Sequence, residues 1–108
     1  MPWYFLALAI LSEVVGTLAL KISNGFSALI PSIIVVVGYS TSFWFLALCL
    51  KSLNVGTAYA IWAGAGTAVV SIAGVFLFKE PMTIIKAVSL VLVILGVVGL
   101  HWGEGKSV

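Results

Sequence analysis

The sequence predicts an all-α membrane protein, with four transmembrane helices per chain forming one domain over residues 1–108. Three observations predict it. Of the 108 residues, 63% are hydrophobic before eleven glycines are counted, against roughly 45–50% for soluble domains with glycine included. Five lysines and three glutamates carry all the formal side-chain charge, too little to clothe a water-soluble surface. Those charges and a few polar turns divide the chain into four apolar runs, each close to the about 20 residues that a helix needs to cross a bilayer.

The first span runs from Trp3 to Leu20, before Lys21 and the polar turn Ser23-Asn24-Gly25. No charge follows until Lys51, and Pro31, tolerated in a first helical turn, helps start a second helix at about Leu29 that runs to Leu50. After the turn Asn54 to Gly56, a third helix runs from about Thr57 to Phe78 and is closed by Lys79-Glu80-Pro81. The fourth extends from about Thr83 to Trp102, with Lys86 able to snorkel to one interface and Trp102 suited to the other. The short polar tail 103–108 ends the chain, so any function must sit among the helices.

Several classes of function are excluded. The net charge of +2 is spread over single lysines without a basic stripe, so nucleic acid is not expected as a partner. Cys49 is alone in an apolar run and reads as a small buried hydrophobe. No lysine or arginine precedes the first apolar run and Glu13 interrupts it, so it reads as a retained span rather than a signal peptide. There is no phosphate-binding loop, no nucleophile-base-acid constellation and no metal motif. His101 has no Cys, His or acid partner at ligand spacing. No enzyme, cofactor or metal site is expected. Glu80 and Glu104 read as solvated.

Orientation follows lysine and arginine counts in short loops. With the N-terminus inside, Lys51 and Lys106 are cytoplasmic, while Lys21, Lys79 and Lys86 are outside. So small a bias allows insertion both ways, and two oppositely inserted copies can pair about an axis in the membrane plane. An antiparallel homodimer would then reach the inverted symmetry that larger transporters build from internal repeats. The alternative is a single topology set by other features.

Glu13 lies near the middle of the first span, where an ionisable group costs at least about 2.5–3.5 kcal/mol. Ala9, Glu13, Gly16, Thr17 and Leu20 follow helical spacing, so the carboxyl shares a face with small residues that let a helix or ligand approach closely. Removed from water, it can trade a proton for a cation. The bland alternative is a glutamate used only to hold helices together.

On the third span Tyr59, Trp62 and Gly66 fall on one face. Tyr59 and Trp62 can stack on an organic cation, through cation-π attraction worth about 0.5–2 kcal/mol each, although membrane aromatics also serve as packing residues or interface anchors. Trp62 lies well inside its span, away from the interfacial belt. The second span adds Tyr39, Ser42, Phe43, Trp44 and Phe45. Gly64, Gly66 and Gly74 permit close approach or a bend. In the fourth span Ser89, Gly96 and Gly103 recur every seven residues, with Gly99 beside them, a seam suited to pairing two copies in lipid.

The stretches Ala9-Ile10-Leu11-Ser12-Glu13-Val14-Val15-Gly16-Thr17, Ser23-Asn24-Gly25-Phe26 with Pro31-Ser32, and Gly56-Thr57-Ala58-Tyr59-Ala60-Ile61-Trp62-Ala63-Gly64 together resemble the small multidrug resistance family of proton-coupled exporters. The likeness runs from about Trp3 to Leu100. It implies an antiparallel dimer in the bacterial plasma (inner) membrane, a chamber lined by the first three helices of each copy, and pairing through the fourth. It implies that Glu13 binds proton and substrate competitively, that Tyr59 and Trp62 line the third helix, and that Tyr39, Ser42 and Trp44 shape the chamber. Guanidinium-selective members usually carry Trp where this chain has Gly16, and Thr17 and Tyr39 agree with exporters of polyaromatic cations. Phe78-Lys79-Glu80-Pro81 looks closer to the guanidinium type, and Ser89 stands where a seam glycine is common. The expected function is export of hydrophobic organic cations and quaternary ammonium compounds in exchange for protons. The alternatives are a guanidinium exporter of the same family, a non-transporting membrane assembly subunit, or a passive cation pore.

Overall fold

A computed structural model describes residues 2–103; Glu104 and Lys106 of the polar tail lie outside the described residues. Four helices follow in order: α1 (Pro2–Ile22), α2 (Leu29–Cys49), α3 (Val55–Leu77) and α4 (Ile84–Gly103). Each is long and apolar enough to cross a membrane. They fall into two compact units, one of α1 and α2 up to Ser52 and one of α3 and α4 from Leu53 onward.

In the first unit the helices meet through small residues. The buried positions of α2, Val35, Gly38, Ser42, Leu46 and Cys49, step by three or four and so form one stripe. A Cβ on Gly38 would lie 3.0 Å from both the Gly16 Cα and the Ser12 carbonyl oxygen, and one on Gly16 would lie 3.3 Å from the Tyr39 ring. A side chain at Gly38 would push that crossing apart by a few tenths of an ångström. The Ser42 hydroxyl, fully buried, donates to the Ala9 carbonyl at 2.6 Å and ties the same faces together.

The turn between α1 and α2 is built on left-handed backbone at Asn24, Gly25 and Phe26, with φ of 51°, 70° and 67°. Such a run strains most residues, and Ser23 offsets this by accepting the Phe26 N–H at 3.1 Å while donating to the Leu20 carbonyl at 2.7 Å. Pro31 sits in the first turn of α2, where its missing N–H would have had no partner within the helix.

In the second unit α4 crosses α3 at Gly64, where a Cβ would lie 2.8 Å from Val97 and 3.5 Å from Val93. Lys79, at φ 55°, ends α3, and the Phe78 and Glu80 N–H groups both donate to the Gly74 carbonyl. That reversal folds the Glu80 carboxylate back over Gly74, whose missing Cβ leaves room for it. Glu80 is therefore half-buried rather than solvated as its loop position suggested. Thr83 then caps α4 by accepting the Lys86 N–H at 3.1 Å, while Lys86 Nζ donates to the Pro81 carbonyl at 3.0 Å. No residue of α4 is buried.

Candidate functional site

Glu13 lies midway along α1, one turn from Ala9 and one from Thr17, and its side chain is half-buried. Thr17 donates its hydroxyl proton to Glu13 Oε1 at 3.0 Å. The same hydroxyl oxygen is within hydrogen-bond distance of the Tyr39 hydroxyl, twenty-two residues away on α2. Glu13 Oε2 is buried and has no hydrogen-bond partner among the described residues. A buried acceptor in that condition is costly, so the carboxylate is poised to take a donor or a positive charge.

Local sequence explains how these groups converge. Glu13 and Thr17 are four residues apart, which places them on one face of α1. Gly16 lies between them in space against the Tyr39 ring, and Gly38 lets α2 approach near enough for the phenol to reach Thr17. Of the residues singled out in the sequence, Ala9, Glu13, Gly16, Thr17, Tyr39 and Ser42 are thus gathered in the first unit. Ser42 is held against Ala9 and acts there as a clamp between helices. Trp44 lies two residues beyond Ser42 and points elsewhere; it is 61% exposed and tilted against Phe45 at 5.2 Å between ring centroids. Phe45 in turn stacks on Phe5 of α1 at 6.2 Å.

The second unit holds the other aromatic candidates. Tyr59 and Trp62 stand side by side on α3, with ring centroids 5.6 Å apart and planes tilted by 48°. Tyr59 is 59% exposed, Trp62 and Gly64 are half-buried and Gly66 is buried. The pair makes an aromatic wall open on one side, suited to a flat or greasy cation. Ser89, Gly96 and Gly103 lie exposed along α4; a Cβ on either glycine would meet nothing within 4 Å. Among the described residues no group of three or more His, Cys, Asp or Glu side chains is arranged to hold a metal.

Two features were not anticipated from the sequence. Gly38 is the residue on which the α1–α2 crossing depends, and its position directly before Tyr39 in an otherwise bulky run was the available signal. The second is a cavity of about 320 Å³ between α3 and α4, with Ser71, Glu80, Lys86 and Ser89 in its wall. Its acidic member reaches it through the left-handed Lys79, which loop composition does not reveal.

The model of the Small Multidrug Resistance protein family matches residues 1–93. Multidrug resistance protein EbrB of Bacillus licheniformis is 50% identical over 93 residues, covering 86% of this chain and 78% of its own. Quaternary ammonium compound-resistance protein QacE of Escherichia coli is 42% identical over 99 residues, 92% of this chain and 90% of its own. A guanidinium exporter of Yersinia pseudotuberculosis is 43% identical over 100 residues, 93% and 96% of the two chains. With four membrane-length helices and matches of this extent, the chain belongs to the small multidrug resistance family and is a multi-pass protein of the bacterial plasma (inner) membrane.

Proposed function

We propose that the protein exports hydrophobic organic cations, including quaternary ammonium compounds and flat aromatic dyes, in exchange for protons. The observation that carries this reading is the divided carboxylate of Glu13, with Oε1 accepting from Thr17 and Oε2 buried without a partner among the described residues. A proton on the carboxyl and a cation beside it both answer this unbalanced charge, and each removes the attraction felt by the other. That competition is sufficient to couple two opposed fluxes. The Tyr59–Trp62 pair supplies the apolar and cation-π part of recognition.

The working unit in this reading is an antiparallel homodimer. Support comes from α4, which buries none of its residues within the chain although its small-residue face suits pairing in lipid. The near-equal lysine distribution supports it as well. In such a dimer the two copies exchange conformations, so inward-open and outward-open states are equivalent and one chamber serves both sides.

Export of guanidinium is the second reading, favoured by the Phe78–Pro81 loop and by the resemblance to a guanidinium exporter. Guanidinium offers paired N–H donors to a carboxylate, whereas a quaternary ammonium offers charge and apolar surface. Binding of tetraphenylphosphonium and of guanidinium to purified protein, across pH and with Glu13→Gln alongside, tests both. Binding that weakens as pH falls, and is lost in Glu13→Gln, is expected. Strong pH-linked binding by the variant contradicts the mechanism, and binding of neither cation at any pH contradicts the export reading.

A further inference from the structure

We infer that Tyr39 is a positioning residue that acts on Glu13 through Thr17, setting the orientation in which the carboxyl meets protons and cations. The inference rests on the exchange reading above. A threonine hydroxyl carries one proton, and Thr17 gives it to Oε1 of the carboxylate. The contact between the Thr17 and Tyr39 hydroxyls then has Tyr39 as its donor. The phenol donates to the threonine and the threonine to the carboxylate, so both dipoles point their positive ends at the acid and strengthen one another.

The relay fixes the rotation of the Glu13 carboxyl group. Oε1 is committed to the helix pair, and Oε2 alone is left without a partner among the described residues. Tyr39 is well held for this task, since its ring lies against Gly16 and the Gly16–Gly38 contact sets the distance between α1 and α2. Besides Glu13, the titratable side chains of α1 are Tyr4 and Lys21, each about two helical turns or more from it. On α2, the helix packed against α1, Cys49 is ten residues past Tyr39, and Tyr39 is the titratable group turned toward Glu13. Tyr39 thus tunes the competition through a hydrogen bond rather than as a wall of the substrate chamber.

The test is tetraphenylphosphonium binding to purified protein as a function of pH, for wild type, Tyr39→Phe, Thr17→Val and the double variant. Tyr39→Phe keeps the ring on Gly16 and removes only the donor. The pH at which protons displace half of the bound cation is expected to move in each single variant, by roughly a tenfold change in the proton concentration needed. Affinity at high pH should change by less than about threefold. Because the groups act in series, the double variant should match Thr17→Val, and Thr17→Ser should restore the wild-type midpoint. An unmoved midpoint in Tyr39→Phe, or shifts that add in the double variant, overturns the relay. Loss of affinity at all pH values with no shift makes Tyr39 a substrate contact. Wild-type binding that does not depend on pH contradicts the exchange reading itself.

Discussion

Gly16 and Gly38 face each other across the α1–α2 crossing so closely that a Cβ on Gly38 would stand 3.0 Å from the Gly16 Cα. The atoms it would meet are backbone, which cannot rotate away. Gly38→Ala is therefore expected to cost about 1–3 kcal/mol of stability by forcing the helices apart, measured as a fall in thermal midpoint in detergent. Separation of the helices also lengthens the Tyr39–Thr17 contact, so the pH profile of cation binding should move as it does in Tyr39→Phe.

Gly74 provides the contrast. A Cβ there meets the carboxylate of Glu80, the far end of a flexible side chain. Alanine in a helix interior gains roughly 0.5–1 kcal/mol over glycine, which offsets the displacement of that carboxylate. Gly74→Ala should leave stability, followed by the thermal midpoint, within about 1 kcal/mol of wild type, and a loss as large as that of Gly38→Ala would show that Glu80 is essential to the α3–α4 unit.

Ser42 is fully buried with its hydroxyl on the Ala9 carbonyl. Ser42→Ala should lower stability by about 0.5–1.5 kcal/mol with little change in cation affinity. A large rise in Kd without loss of stability would return Ser42 to the substrate-binding role expected from its sequence position.

Much of this was legible in the sequence because lipid makes simple demands. Four apolar runs bounded by Lys21, Lys51 and the Lys79-Glu80-Pro81 group became four helices, since no other arrangement of such runs satisfies the backbone in a bilayer. Glu13 stood out for the same reason, and Thr17 four residues later was visibly on its face. What could not be read was which small residue meets which. The glycines of α4 form the more regular stripe, yet close approaches between helices within the chain occur at Gly16, Gly38 and Gly64. The Tyr39–Thr17 contact spans two helices, and helical periodicity orders residues around one helix without giving the rotation of its neighbour. Glu80 departs from the solvated position its loop suggests because its placement depends on a left-handed Lys79, a conformation lysine composition does not announce.

The open seam of α4 predicts a different phenotype from the crossings inside the units. Gly96 has nothing within 4 Å of a built Cβ, so Gly96→Val should leave helix content unchanged and weaken dimerisation by at least about tenfold, on the order of 1.4 kcal/mol. Crosslinking or dilution-dependent energy transfer in lipid reads this out, and an unaltered dimer would place the contact between copies elsewhere.

Balanced lysines predict dual insertion. Two or three lysines added to one set of loops should drive all copies into one orientation and abolish resistance to cationic dyes. Coexpression with an oppositely biased variant should restore it. Full activity from one biased variant alone would contradict the antiparallel dimer.

The central claim is exchange of protons for cations at Glu13, and coupled flux tests it most directly. Purified protein is reconstituted into sealed vesicles, a pH gradient is imposed, and uptake of a panel of organic cations including guanidinium is followed together with the internal pH. The account predicts that hydrophobic and quaternary cations accumulate above their external concentration in the acidic lumen, that lumenal protons leave in fixed proportion, and that Glu13→Gln does neither. Equal uptake by Glu13→Gln, or cation movement that only runs down its own gradient, would contradict it.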